Sequence, residues 1–165
     1  MKNDDRELVK KLMRQSISKA EFNGLFSENI EENPKYIIQL LEEAYENREA
    51  DDVDYALFVG FTFDVFTEDV VAVLCKLIES SWHYQHENIA MILQRLKSPE
   101  SIPYLYRTAL MKFNYLDFDE SYALAVKCIW ALGDINTIES REKLQLLAQS
   151  ENDVIRSNAT KQLTR

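Results

Sequence analysis

Residues 120–163, which read ESYALAVKCIWALGDINTIESREKLQLLAQSENDVIRSNATKQL, decide the fold of this chain. Their apolar residues recur at helical spacing in three groups: Tyr122, Ala125, Val126, Ile129 and Leu132; Leu144 and Leu147; Ile155, Ala159 and Leu163. The pair Asn136-Thr137 is typical of a helix start and separates the first group from the second. The stretch therefore predicts three consecutive helices, beginning near residues 120, 137 and 153.

The same pattern extends toward the N-terminus with a nearly constant period. We expect helices beginning near residues 34, 68, 101 and 137, each followed by a partner beginning near 53, 87, 120 and 153. A two-helix unit cannot bury its apolar face alone, so regular units stack into one continuous core. The sequence thus predicts an all-α fold, namely a right-handed solenoid with about four helical pairs. We expect a single domain over 1–165, with pairs at 33–66, 67–97, 98–132 and 133–165 and capping helices within 1–32, near 4–17 and 19–30.

Helix boundaries are marked by capping signals. Ser18 with Glu21 is typical of a capping box, in which two side chains satisfy free backbone N–H groups reciprocally. Asn33-Pro34, Thr67 and Ser98-Pro99 are predicted caps or breaks, and Pro103 belongs in the first turn of its helix. We expect no strands.

The C-terminal segment resembles the short HEAT-like repeats of the phycobilin-lyase type. Ala131-Leu-Gly-Asp-Ile135 is similar to the turn between their repeats, and Leu144-Gln-Leu-Leu147 is similar to their next outer helix. Ile155-Arg156, Ala159 and Leu163 resemble the Val-Arg and Ala signature of their inner helix. The resemblance covers roughly residues 87–163. It departs from the family in the earlier repeats, where Lys127 is the nearest equivalent of Arg156. It implies a helical-repeat fold and says little about activity.

Composition excludes several classes of protein. The chain has 165 residues, of which 46% are hydrophobic and 28% charged, and this is enough apolar material for a core. No run approaches the length of ~18–20 apolar residues that crosses a bilayer. Met1-Lys-Asn-Asp-Asp5 is not followed by an apolar stretch, so we expect a cytoplasmic protein without membrane partners. Cys75 and Cys128 lie within apolar helical patterns and are predicted to be buried, unpaired thiols.

The negative charge is concentrated in one segment. The net charge of −9 divides into +3 over residues 1–20, −12 over 21–80 and 0 over 81–165. Binding to a nucleic acid backbone is disfavoured, because that needs a surface rich in Lys and Arg. The acidic segment predicts either a solvated face that favours solubility or a docking surface for a basic molecule.

Few residue patterns indicate chemistry. His83 and His86 have an H-x-x-H spacing that could hold a metal with a nearby carboxylate, but at a loop-to-helix junction they are more typical of capping or surface residues. The three glycines form no phosphate-binding loop, and acid pairs such as Asp51/Asp52 are typical of a solvated face. We therefore expect a protein that is not an enzyme and that has no catalytic residue, metal or cofactor.

Aromatic residues fall into two groups. Those of the helix over 53–66 are predicted to be core, with Gly60 allowing a neighbour to approach closely. Those of the links 80–86 and 112–119 are predicted to emerge side by side on one edge of the stack. There they either form an interface or fold back to seal the edge, and the sequence leaves both alternatives open.

Size, acidity and helical architecture are similar to those of bacterial immunity proteins, which neutralise a cognate toxin. The resemblance implies a monomer that forms a heterodimeric complex with a basic partner, namely a cationic nuclease-type toxin whose active site it occludes. The residues expected to bind the partner come from the acidic segment and the two links: Glu43, Glu46, Asp51, Asp52, Asp54, Trp82, His83, Tyr84, His86, Tyr115, Asp117, Asp119, Glu120 and Tyr122. The alternatives are an adaptor or chaperone-like HEAT-repeat scaffold, which predicts a roomy apolar groove, and a HEAT-like DNA glycosylase, which the acidic segment disfavours.

Overall fold

The computed structural model describes all 165 residues and contains ten α-helices and no β-strand. The all-α prediction is therefore confirmed. The helices run from α1 to α10 in chain order: Asn3–Met13, Lys19–Leu25, Tyr36–Asn47, Ala50–Phe63, Val71–Ile78, His86–Leu96, Ile102–Leu110, Ala123–Ile135, Ile138–Leu147 and Asp153–Leu163. The eight helices from α3 onward begin within three residues of their expected starts. None of the ten helices has both the length and the apolar character that crossing a membrane requires.

The chain forms two compact units, Met1–Val73 and Leu74–Arg165. In the first unit, α1 packs against α2 and α4, and α3 packs against α4. The predicted apolar stripe of α3 is fully buried, because residues three and four positions apart share one face of a helix.

Gly60 provides a close approach within the first unit. The ring of Phe66 lies so near that a Cβ at Gly60 would be 2.2 Å from a ring carbon. The prediction that this glycine admits a neighbour is confirmed. The prediction that the aromatics of this helix are core holds only in part, since Phe66 is buried and Phe61 is 37% exposed with its ring edge-on to Phe66.

In the second unit, α8 is the central helix. It packs against α6, α7, α9 and α10, and α7 also contacts α9. Because neighbours surround it, apolar residues on several sides of α8 are buried: Leu124, Ala125, Cys128, Ile129, Ala131 and Leu132. Each buried Leu or Ile contributes about 1.5–3 kcal/mol relative to an exposed one. Cys128 and Cys75 are buried and unpaired as predicted, and burial raises the pKa of both thiols.

The capping predictions have mixed outcomes. Ser18 and Glu21 form the expected capping box, and Thr137 forms another with Ser140. Asn33 is not the predicted cap: α3 begins at Tyr36, whose N–H bonds the backbone carbonyl of Asn33 and leaves its side chain out of the cap.

Two further predicted caps also differ, because a 3₁₀ turn intervenes. Thr67 and Ser98 precede short 3₁₀ segments, and neither side chain bonds the helix start. Their backbone carbonyls accept the first N–H bonds instead, from Val70 and Ser101. Pro103 lies in the first turn of α7, as expected.

Candidate interaction site

The loop between α5 and α6, residues 79–85, is fastened by two buried histidines. His83 Nε2 lies 2.7 Å from the carbonyl oxygen of Leu77, and His86 Nε2 lies 2.8 Å from that of Ser80. A carbonyl oxygen only accepts, so each Nε2 carries a proton and donates it. The histidines therefore bond carbonyl groups in the last turn of α5 and just beyond it, and the carbonyl of Leu77 also accepts the N–H of Ser80.

The remaining ring nitrogens are also occupied. His83 Nδ1 accepts the N–H of Gln85 at 3.1 Å, and His86 Nδ1 accepts the hydroxyl of Tyr115 at 2.8 Å. The two imidazole rings stack with centroids 4.3 Å apart. Both histidines are therefore neutral, and all four of their nitrogens have hydrogen bonds.

Burial sets the protonation of this histidine–tyrosine cluster. It lowers the pKa of His83, and it lowers the pKa of His86 to about 4, with a smaller contribution from His83. Burial also raises the pKa of Tyr115 to about 12, so its hydroxyl stays protonated and donates to His86.

The cluster corrects the expected positions of the two histidines. The sequence predicted capping or surface residues, and their hydrogen bonds are those of caps, but His83 and His86 have no exposed surface. Sequence spacing alone places them on a loop, whereas the carbonyl groups at the end of α5 draw their rings inward. As rigid supports of the loop they lie beneath any surface that a partner would contact.

The two aromatic links lie side by side, as predicted. Tyr84 and Tyr115 meet edge to face with ring centroids 5.2 Å apart, and Phe113 packs on His86 at 4.0 Å. The sequence left open whether these aromatic side chains form an interface or seal the edge, and the structure shows some of them buried and others exposed. Phe113 is buried, Trp82 and Tyr115 are half-buried, and Tyr84 is exposed.

The loop between α7 and α8, residues 111–122, is organised by Asp119. One carboxylate oxygen accepts the N–H of Ala123 at 2.7 Å, and the other accepts the N–H and hydroxyl of Ser121. These bonds lower the pKa of Asp119 and keep it ionised at the start of α8. Tyr122, the residue before the helix, has a left-handed backbone with φ of 53° and a partly exposed ring.

The tip of loop 111–122 is the most exposed apolar feature of the second unit. Phe118 is 96% exposed, and Asp117 and Glu120 beside it are exposed as well. Phe118 was not among the residues predicted to bind a partner. The sequence does contain a signal for its exposure. Phe118 lies between two acidic residues in a link, outside any helical pattern of apolar residues that would predict a core position.

A cavity of about 370 Å³ lies beneath this loop, bounded by the end of α7, the start of α8 and the start of α10. Its lining is mixed: apolar residues such as Leu116 and Ile155 lie beside polar ones such as Asp119 and Asn152. Sequence periodicity does not reveal such a cavity, because it depends on how loop 111–122 crosses the helices.

The predicted acidic residues of the first unit divide by exposure. Glu46 and Asp51 are exposed and form no ion pair, and Glu43 is half-buried with its carboxylate 3.5 Å from the α-amino group of Met1. Asp54 is half-buried, and burial together with the charge of Asp51 raises its pKa.

Asp52 was predicted to lie on the docking surface, but the structure buries it. It is 1% exposed and lies 2.7 Å from Arg6 Nε and 2.8 Å from the α-amino group of Met1. Burial raises its pKa, but the hydrogen bonds and charges of these two cations outweigh that effect and hold it below its ordinary value. Asp52 therefore fastens α1 to α4, and the carboxylate is not available to a partner.

Comparison with known proteins gives no relative. The chain matches no family model, no curated protein and no solved structure.

Proposed function

We propose that this chain is a non-catalytic protein-binding protein that docks a basic partner, and that the partner is a cationic nuclease-type toxin whose active site the chain occludes. The observation that carries the proposal is the group of exposed, unpaired carboxylates around the α3–α4 turn: Glu42, Glu46, Glu49 and Asp51. Arg48 is the only cationic residue between Glu42 and Asp54.

Electrostatics gives these carboxylates a role in association. Like charges close together repel, and the charge of Asp51 adds to the larger effect of burial in raising the pKa of Asp54. A cationic partner relieves the repulsion, and a field of one sign steers the partner and raises the association rate. The charge pattern also resembles that of a polyanion, which a nuclease groove binds.

We propose further that the helical pairs are HEAT-like repeats of a solenoid. Within the second unit, α6, α8 and α10 pack in sequence against one another, and α7 contacts α9. That order of contacts is expected of stacked two-helix repeats with one inner and one outer row. Rigid rows suit a binding protein, because the interface needs little ordering when the partner docks.

The tip of loop 111–122 supplies the proposed anchor of the second unit. Phe118 is a large apolar side chain that the folded chain does not cover, and aromatic residues carry much of the energy of protein interfaces. The histidine–tyrosine cluster and the bonds of Asp119 hold the loop from below. The loop therefore presents Phe118 from a fixed base.

Affinity capture with matched variants tests the proposal. The test variant reverses Glu46 and Asp51 to Lys, and the control reverses Glu139 and Glu142, which are exposed and unpaired on α9. Both variants change the net charge equally. We expect wild type and control to retain a basic protein from lysate of the native cells at low salt. The test variant should retain it with at least about tenfold slower association.

The captured protein then decides the toxin assignment. We expect it to degrade DNA or RNA and to lose that activity when the purified chain is added at equimolar ratio. Phe118→Ser should raise its dissociation rate by about tenfold or more. Equal capture by both charge variants contradicts the docking surface, and a captured protein without nuclease activity contradicts the assignment of the partner.

A second function is favoured by the cavity beneath loop 111–122. A HEAT-repeat adaptor or chaperone-like scaffold was expected to have a roomy apolar groove, and a volume of about 370 Å³ lies within the range of ligand sites. This alternative predicts that charge reversal at Glu46 and Asp51 leaves capture unchanged. The same pair of variants therefore separates the two functions.

A further inference from the structure

Loop 111–122 is fastened to the histidines through two rings that cover His86. Phe113 packs on the imidazole with ring centroids 4.0 Å apart, and the hydroxyl of Tyr115 donates to its Nδ1 at 2.8 Å. The bonds of Asp119, by contrast, stay within the loop and at the start of α8. The position of the loop over the histidines therefore depends on the state of the His86 ring.

The site of His86 does not accommodate a positive charge. The ring is buried, and His86 is the first residue of α6, where the helix dipole is positive. Its Nε2 already donates to the carbonyl of Ser80, so an added proton goes to Nδ1, which can then no longer accept from Tyr115. The ring of His83, stacked 4.3 Å away, would lie against the new charge.

The groups around His86 do not offset such a charge. Its titratable contacts are His83 from loop 79–85 and Tyr115 from loop 111–122. The flanking carboxylates have cations of their own: Glu87 of α6 pairs with Lys127 of α8, and Glu79 of loop 79–85 pairs with Arg107 of α7. Burial and the charge of His83 lower the pKa of His86 to about 4, and no carboxylate contributes to it.

We propose that the contact of His86 with Phe113 and Tyr115 is an acid-sensitive latch. When His86 takes up a proton, loop 111–122 leaves the imidazole and water reaches the ring, while α6 and α8 stay folded. The closed latch fixes the base from which Phe118 is presented, and acid raises the fraction of molecules in which this base is free. The effect on docking through Phe118 rests on the proposed function, whereas the latch is a property of the chain alone.

The direction and size of the effect follow from proton linkage. With the loop closed, the pKa of His86 is about 4, and with the ring in water it returns to its ordinary value of 6.5. The open form therefore binds more protons between these values. The closed form is fully favoured above pH 6.5 and loses its advantage as pH falls toward 4. The equilibrium constant for opening should rise about 30-fold between pH 7.5 and 5.

Amide hydrogen exchange of the full chain, corrected for the intrinsic effect of pH on exchange, measures this opening. We expect the protection of amides 113–123 to fall about 30-fold from pH 7.5 to 5. Low concentrations of urea should leave their exchange unchanged, because local opening exposes little surface. Amides 128–132, at the centre of α8, should be better protected at both pH values and should lose protection as urea is added.

Three variants identify the group that responds to acid. Tyr115→Phe removes the hydroxyl that bonds His86, so opening of the loop should increase about fivefold at pH 7.5, the effect of one ordinary hydrogen bond. Tyr84→Phe is the matched control, because it removes a hydroxyl from the exposed ring that meets Tyr115 and should leave opening unchanged. His86→Gln cannot take up a proton, so its loop should lose the dependence on pH.

The latch is overturned if protection of the loop does not change with pH. It is also overturned if the loop amides share the protection and urea dependence of α8, because opening is then global. Equal exchange in the two tyrosine variants has the same consequence, as does an undiminished loss of protection in His86→Gln. If His86→Gln does not fold, the tyrosine pair and the wild-type pH series still decide. Because exchange is measured on the chain alone, its failure leaves the proposed basic partner untouched.

Discussion

The buried imidazole of His86 should make the stability of this protein depend on pH well above the range in which carboxylates titrate. Its Nε2 donates to Ser80 and its Nδ1 accepts from Tyr115, so a second proton has no place without breaking the bond to the phenol. In the unfolded chain the same histidine takes up a proton at its ordinary pKa. Acidification therefore favours unfolding.

The magnitude follows from the two pKa values of His86. Burial lowers its pKa in the folded protein to about 4, against an ordinary value of 6.5. Between these values the unfolded state binds more protons than the native state, so the contribution is complete above pH 6.5 and is lost as pH falls toward 4. The full loss is about 3 kcal/mol, and about 2 kcal/mol of it is expected between pH 7.5 and 5. His83, whose pKa burial also lowers, adds to the loss.

Urea denaturation at several pH values between 7.5 and 5 measures this effect, because a change in midpoint at constant slope reports stability directly. The matched variant is His86→Gln, which keeps a side chain amide near Ser80 and cannot titrate. We expect it to be less stable than the wild type at pH 7.5 and to lose about 2 kcal/mol less on acidification.

NMR titration of the imidazole signals supplies an independent reading, with the His86 ring expected to stay neutral down to pH 5. A wild-type stability that is independent of pH over this range would refute the reasoning. So would an equal loss in the glutamine variant, since the titrating group would then lie elsewhere.

Two further predictions concern the first unit. Gly60→Ala should destabilise the protein by about 1–3 kcal/mol, because the new methyl group overlaps an aromatic ring. Gly24→Ala, with no atom within 4 Å of its Cβ, should be neutral or slightly stabilising. Equal melting temperatures of the two variants would contradict the close contact. Asp52→Asn should cost about 3 kcal/mol, because it removes the carboxylate that pairs with Arg6 and leaves the buried α-amino group of Met1 with only Glu43, 3.5 Å away, as its partner. Asp69→Asn breaks an exposed ion pair and should cost less than about 1 kcal/mol. Thermal unfolding of both variants checks this, and similar losses would show that the Asp52 pair is effectively solvated.

Local patterns predicted the helices well, because helix formation depends on neighbours three and four residues apart. The stripe of α3, the capping box at Ser18 and the buried thiols follow from such short-range rules. The predicted stripe of α8 is buried only at Ala125, Ile129 and Leu132, because neighbours on several sides of this helix also bury Leu124 and Ala131. The predictions were weaker where the chain leaves the helices. Asn33 has the residue type of a cap, but the turn that precedes α3 uses its backbone instead.

The candidate site was predicted only in outline. Acidic and aromatic composition indicated the right segments, and the two aromatic links do meet through Tyr84 and Tyr115. Composition does not distinguish a buried acid from an exposed one, so Asp52 and His86 were grouped with surface residues. Their burial depends on partners 51 and 29 positions away in the chain, the α-amino group of Met1 and the hydroxyl of Tyr115.

The sequence by itself determined that the chain is helical, where most of its helices begin and which segment carries the negative charge, because these properties are set within a few turns of chain. Only the tertiary structure decided which polar side chains face solvent. It placed His83 and His86 in the interior and left Phe118 exposed. It also buried the hydroxyl of Thr108 without a hydrogen-bond partner. The physical reason is that a polar group's environment is fixed by what packs against it, and packing joins residues that local periodicity cannot relate.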